Sequence, residues 1–216
     1  MNIKLVIFDF DGTIADTRKT IFISKQETMK VLGLNVADEE TCASTIVFSS
    51  KIGFRKIYPE LSEQMLDLCV STYRKIFDEK KKTIPPTLFP DVAEILALLK
   101  EKGILTTIAS SRNNASLKEF LDKMNIAHFF PYMLGGEDTA FLKPNPEPVL
   151  KTLNDLCYKP EQTLVIGDMP MDVAMGRNAG TFTCGVTYGN SNRKQLLEAG
   201  ADYVIDRIAD LADIIK

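Results

Sequence analysis

Apolar residues run almost unbroken through Ile3-Lys4-Leu5-Val6-Ile7-Phe8. Without alternation, such a stretch reads as a strand buried on both faces, as in a parallel sheet. Comparable short runs recur at 104–109, 163–166, 182–186 and 203–205. Helical spacing separates them. Between Val92 and Lys102, the residues Val92, Ile95, Leu96 and Leu99 fall on one face, and Gly103 follows as a stop signal. Stretches 114–124, 147–156 and 171–179 behave likewise, the last closed by Gly180, while 195–199 and 208–215 predict shorter helices. Strands alternating with helices predict an α/β fold with a doubly wound parallel sheet. Right-handed crossovers then bring the carboxyl ends of all strands to one edge, where sites in such sheets lie.

Residues 14–86 break this rhythm. They hold two amphipathic stretches, Lys19 to Leu32 and Glu63 to Phe77, and no run that reads as a buried strand. The expected organisation is therefore a core made of 1–13 and 87–216, interrupted by a smaller all-helical insert at 14–86. The run Lys80-Lys81-Lys82 followed by Pro85-Pro86 closes the insert and reads as a solvated linker.

Composition narrows the function. With 216 residues, 45% hydrophobic and 25% charged, the chain has the makings of a globular core. Its 26 basic and 29 acidic residues balance to −3, which argues against a nucleic-acid partner. The four cysteines are scattered without metal-ligand spacing and read as reduced thiols. Leu5 to Phe8 is too short for a signal-peptide core, and no apolar run approaches the ~18 residues of a membrane span. The expectation is a cytoplasmic protein with no membrane partner.

The chemistry sits where the strands end. Asp9-Phe10-Asp11-Gly12-Thr13 follows the first strand, and Ser110-Ser111-Arg112 follows the run at 104–109. Gly167-Asp168-Met169-Pro170-Met171-Asp172 follows the run at 163–166, and Lys143 precedes that run in Leu142-Lys143-Pro144. Four carboxylates gathered at one edge raise one another's pKa or require a cation. A hard divalent ion with oxygen ligands answers this, and Mg²⁺ suits a site completed by a substrate phosphate. Ser110 and free N–H groups at a strand-to-helix turn suit phosphate oxygens. The residues alone thus point to Mg²⁺-dependent phosphoryl transfer. Taken singly, Lys143 is a surface residue and Ser110 a helix cap; their joint order supports the functional reading.

DFDGT resembles the first motif of the haloacid dehalogenase superfamily of phosphatases. Ser110 in TIASS, Lys143 in LKPNPEP, and Asp168 with Asp172 in IGDMPMD resemble its second, third and fourth motifs. The insert resembles the helical cap of the phosphoglycolate phosphatase-like and β-phosphoglucomutase-like branch, as do GTIADT, LFPDV and the tail VTYGNSNRKQLLEAGADYVID. The resemblance spans nearly the whole chain and implies a Rossmann-like core. It makes Asp9 the nucleophile, forming an aspartyl-phosphate, and Asp11 the general acid and base. It assigns Mg²⁺ to Asp9, Asp168, Asp172 and the backbone carbonyl of Asp11. It assigns the phosphoryl group to Ser110, Lys143 and N–H groups near Phe10, Asp11 and Ser111, with Thr13 beside them orienting the loop. Met169 departs from the pattern, standing where many relatives carry a small polar residue.

Within the insert, Val47 to Arg55 resembles the family's substrate loop, with Gly53 at its turn, and offers Lys51 and Arg55 as candidate contacts to an anionic substrate; both also read as solvent-facing helix residues. His128 reads as a structural histidine packed against the core. The expected partner is a small phosphorylated metabolite such as phosphoglycolate, for a monomer or weak homodimer. A phosphomutase and an inorganic pyrophosphatase stand as alternative enzymes. A haloacid dehalogenase has no use for Asp11, and a phospho-accepting signalling module is the alternative of a different class.

Overall fold

The computed structural model describes residues 2–46 and 48–215. Met1 and Lys216, at the limits of the expected core, and Val47, at the start of the expected substrate loop, lie outside the described residues. The chain divides into two compact units, Met1–Ala15 with Leu88–Lys216, and Asp16–Thr87. The first limit falls two residues inside the expected insert and the second one residue beyond it. The reason is local: strands β2 (Ala15–Asp16) and β3 (Thr87–Leu88) pair with each other at the two crossing points.

The first unit holds a six-stranded sheet, every paired neighbour parallel. Its strands are β1 (Leu5–Phe8), β4 (Leu105–Ala109), β5 (Tyr132–Leu134), β6 (Thr163–Gly167), β7 (Phe182–Val186) and β8 (Tyr203–Ile205), in the spatial order β5-β4-β1-β6-β7-β8. The residues of β1 and β6 are all buried, as uninterrupted apolar runs require. The helices of this unit are α5 (Val92–Glu101), α6 (Asn114–Lys123), α7 (Glu147–Leu156), α8 (Pro170–Asn178), α9 (Arg193–Glu198) and α10 (Leu211–Ile214). Leu5 and Ile7 of β1 share a core with Val165, with Val149 and Leu153 of α7, and with Met175 of α8.

Register positions the site. Phe8 pairs with Ile108 on one side and with Ile166 on the other. The three strands therefore end nearly level, and Asp9, Ser110 and Asp168 leave the sheet along one edge. The Asp9 N–H still donates to the Ile166 carbonyl at 2.8 Å, which anchors the first loop to β6.

The second unit holds α1 (Arg18–Val31), α2 (Glu39–Ala43), α3 (Ser50–Ile57) and α4 (Glu63–Thr83). Met29, Cys42, Phe54, Tyr58, Leu66 and Cys69 give it a core of its own. The Ser62 hydroxyl caps the N-terminus of α4 by accepting from the Met65 N–H at 3.2 Å. The lysine run is not a linker: α4 continues six residues beyond Phe77 and includes it. Cations at a helix C-terminus meet the negative end of its dipole. Lys81 and Lys82 also pair with Asp78 and Glu79 one turn back, at 2.7 and 2.8 Å, and Lys80 with Glu27 of α1 at 2.6 Å.

Two further expectations need correction. His128 is exposed on a 3-10 turn, its ring 4.1 Å from that of Phe129, rather than packed into the core. Strand β5 has no counterpart in the sequence reading, since it spans three residues of which only Leu134 is fully buried. Among the described residues, no helix is long and apolar enough to cross a membrane. All four cysteines are free, and Cys157 alone is exposed.

Candidate active site

The loop after β1 turns sharply because Gly12 adopts φ +90°. A Cβ at this position would run into the Asp168 carboxylate and come within 2.6 Å of Asn190 Nδ2, so only glycine fits. The loop after β6 is equally close: a side chain on Gly167 would collide with Asp172, whose Oδ2 accepts from the Met169 N–H at 3.0 Å at the start of α8. Strand ends and helix start thus press three acidic residues together. Asp9, Asp168 and Asp172 are 8%, 0% and 1% exposed, and one oxygen from each lies within 4.8 Å of the others.

Lys143 reaches this cluster from the loop before α7. Its ammonium donates to Asp9 Oδ1 and lies 2.6 Å from Asp172 Oδ1, with both partners inside the protein. Burial pushes the Asp9 carboxyl well above its usual range, against the opposing pull of Lys143. Burial, then the charge of Asp172, pushes Asp168 up to about 7. Burial works to lower Lys143, but its two carboxylate neighbours win and hold it above its usual value. Three carboxylates against one ammonium leave two uncompensated negative charges when all are ionised. Hard oxygen donors with this excess fit a divalent cation.

Asp168 is held by the loop after β7. Its Oδ2 accepts from the Asn190 backbone N–H and from Asn190 Nδ2, both at 2.7 Å. The Tyr188 hydroxyl donates to the Thr13 carbonyl at 2.8 Å, which ties that loop to the first one. Met169 does not disturb this arrangement, since its sulfur accepts from the Ser191 hydroxyl at 3.2 Å.

The structure brings together most of the expected residues, with two corrections. The carboxylate of Asp11 stands outside the acidic cluster. Arg112 takes it in a bidentate pair, Nη2 to Oδ1 at 2.5 Å and Nε to Oδ2 at 3.0 Å. The guanidinium is itself fixed, donating to the Ser116 hydroxyl at 2.9 Å and lying 4.9 Å over the Phe120 ring. Thr13 was expected beside the phosphate, but it is fully buried and its hydroxyl is directed at Asp168 Oδ1, 3.4 Å away. Its place is behind the acidic cluster.

Lys51 and Arg55 lie on α3 as partly exposed residues, in keeping with their solvent-facing reading. Lys51 pairs with Glu63 and Asp67 at 3.0 and 2.5 Å, and Arg55 pairs with Glu63 and donates to the Leu61 carbonyl at 2.6 Å. Both cations thus pair with residues at or near the start of α4.

Ser110 sits where expected, buried at the end of β4, its hydroxyl accepting from the Arg112 N–H at 3.1 Å. The buried Ser111 hydroxyl has no hydrogen-bond partner among the described residues. Sequence reading gave no role to Arg112, Tyr188 or Asn190. Arg112 follows the second motif directly, and Tyr188 and Asn190 lie in the TYGN segment, so the positions were in view while their partners were not.

Residues 6–186 match the family described as haloacid dehalogenase-like hydrolase. The chain is 31% identical to a pyrophosphatase PpaX of Bacillus mycoides, over 100% of this chain and 98% of that protein. It is 28% identical to a phosphoglycolate phosphatase of Aquifex aeolicus, over 98% of this chain and 96% of that one. A haloacid dehalogenase-like family hydrolase from Streptococcus pneumoniae shares the fold, with a TM-score of 0.87 over 100% of this chain and 99% of its own, at 23% identity. The buried acidic cluster at the sheet edge is thus carried by a chain that belongs to the haloacid dehalogenase-like hydrolase family.

Proposed function

We propose that the protein is a Mg²⁺-dependent phosphatase that hydrolyses a small phosphorylated metabolite through an aspartyl-phosphate on Asp9. The observation that carries this reading is the position of Asp9. It is buried at the end of β1, paired with Lys143, and shares a 4.8 Å cluster with Asp168 and Asp172.

In this reading Asp9, Asp168 and Asp172 hold the ion, with the Asp11 carbonyl as a further ligand. When bound, Mg²⁺ supplies charge that keeps Asp9 anionic and neutralises phosphoryl oxygens. An Asp9 oxygen attacks phosphorus while the bond to the leaving oxygen breaks. Asp11 gives that oxygen its proton. A water then attacks the phosphorus of the aspartyl-phosphate, Asp11 takes the water's proton, and phosphate departs with Asp9 restored. For these steps Asp11 turns one oxygen from the Arg112 guanidinium toward the reacting atoms. Lys143 and Ser110, with N–H groups of the Asp9–Asp11 loop and Ser111, hold the equatorial oxygens.

The names of the two curated relatives support phosphoglycolate and pyrophosphate as candidate substrates. The test is phosphate release from para-nitrophenyl phosphate with Mg²⁺, and its loss in Asp9→Asn. A stable phospho-protein without turnover favours a signalling module, and an isomerised sugar phosphate in place of free phosphate favours a mutase.

A further inference from the structure

Asn190 takes no part in the phosphoryl-transfer steps, yet it stands against the acidic cluster. It lies in the loop after β7, whose Gly185 pairs with Gly167 of β6. That register delivers the loop to the residue following Gly167, which is Asp168. The approach is close: a Cβ on Gly189 would come 2.4 Å from both the Gly12 carbonyl oxygen and Asp168 Cβ. The next residue turns two donors on one atom. Asn190 gives its backbone N–H and its Nδ2 to Asp168 Oδ2, each at 2.7 Å.

This pairing fixes which way each group faces. An ionised carboxylate accepts hydrogen bonds and donates none, so the amide nitrogen faces Asp168 and the amide oxygen faces elsewhere. Two N–H bonds on Oδ2 leave Oδ1 as the freer oxygen of Asp168, with the Thr13 hydroxyl 3.4 Å from it. As an anchor for the loop alone, the carboxamide is redundant. The backbone N–H already ties residue 190 to Asp168, and the Tyr188 hydroxyl ties the loop to the Thr13 carbonyl at 2.8 Å. The carboxamide also carries a cost, because Asn190 Oδ1 is buried without a hydrogen-bond partner among the described residues. A buried acceptor left unpaired is disfavoured. Mg²⁺ keeps several waters in its shell, and such a water is a donor. The unpaired oxygen and the excess acidic charge are both answered by a hydrated cation held at Asp168.

We propose that Asn190 is a positioning residue of the metal site: its carboxamide holds Asp168 Oδ2 so that Oδ1 is presented to the cation. This rests on the Mg²⁺-dependent reading of the acidic cluster. Groups that bond to a ligand rather than to the metal typically change metal affinity by about 10- to 100-fold when removed.

Mg²⁺ affinity is read without turnover, from the rise in unfolding temperature of the full chain as MgCl₂ replaces NaCl at constant ionic strength. Asn190→Ala removes the carboxamide and keeps the backbone N–H bond. The expected result is a Kd for Mg²⁺ at least about tenfold higher. Asn190→Leu keeps the volume of the side chain and should show the same rise, which a loss of packing alone would not give. Tyr188→Phe loosens the same loop while leaving both bonds to Asp168, and its Kd should stay within about twofold of wild type. The proposal is overturned by a Kd within about twofold of wild type in Asn190→Ala, by a rise that Asn190→Leu does not share, or by an equal rise in Tyr188→Phe. If Asn190→Ala does not fold, Asn190→Leu decides on the same reading. Absence of Mg²⁺ protection in the wild type sinks the metal reading itself and this inference with it, whereas equal protection of wild type and Asn190→Ala removes the role of Asn190 alone.

Discussion

Lys25 of α1 is buried, its ammonium donating to Thr45 Oγ1 at 2.5 Å and to the Cys42 carbonyl at 3.3 Å with no carboxylate partner among the described residues, and it makes a thermodynamic prediction whose sign reverses with pH. Burial lowers its pKa from 10.5 to about 8 in the folded chain. A shift of about 2.5 units at ~1.36 kcal/mol each disfavours the folded state by about 3 kcal/mol. Below pH 8 the lysine is charged in both states, so the full penalty is present. From pH 8 to 10.5 the folded protein releases the proton while the unfolded chain keeps it. Stability therefore rises with pH across this window and levels off above it.

Lys25→Met removes the penalty at pH 7 but forfeits the bonds to Thr45 and the Cys42 carbonyl, worth about 1 kcal/mol each. The variant is expected to be more stable than wild type by about 1 kcal/mol at pH 7. At pH 10 the wild type has shed most of its penalty, about 1 kcal/mol of it remaining, and exceeds the variant by roughly 1 kcal/mol. The assay is urea unfolding of both proteins followed by circular dichroism at the two pH values, without added anions. Taking the difference between them cancels the titration of the groups they share. A difference that stays constant between pH 7 and pH 10 refutes the assignment of an uncompensated buried charge.

Two further outcomes follow from the site. Gly12→Ala forces a side chain at φ +90° into Asp168 and Asn190; it should cost more than about 1 kcal/mol of stability and reduce kcat about a hundredfold, measured by thermal unfolding and by para-nitrophenyl phosphate turnover. Lys51→Ala and Arg55→Ala remove cations already paired with Glu63 and Asp67; KM for 2-phosphoglycolate should not change, and a selective rise would return these residues to substrate binding.

The parallel strands were legible because each is a short, continuous apolar run. The acidic residues were legible because each directly follows such a run. β5 was not, since three residues, two of them half-buried, leave no pattern for periodicity to detect. The true end of α4 was missed because a lysine run looks the same in a linker and in a last helical turn; its carboxylate partners Asp78 and Glu79, one turn back, separate the two. The roles of Lys25 and Arg112 could not be read from residue type at all. A lysine on an amphipathic helix is normally a solvated one, and only burial without a counter-ion marks Lys25 as different. Arg112 is defined by Asp11, a partner 101 residues away in the chain.

The ties around Asp168 have a consequence for the order in which this chain acquires its parts. Thr13 reaches Asp168 across 155 residues, Tyr188 reaches Thr13 across 175, and Lys143 reaches Asp9 across 134. Each closes a long loop, and such contacts repay their closure entropy only once the intervening chain is in place. The helical unit at 16–87 closes its own core over much shorter separations. During synthesis the helical unit can therefore become native early. The acidic cluster has to wait for the segment around Tyr188 and Asn190, so a nascent chain stopped short of that segment has β1 but no assembled site.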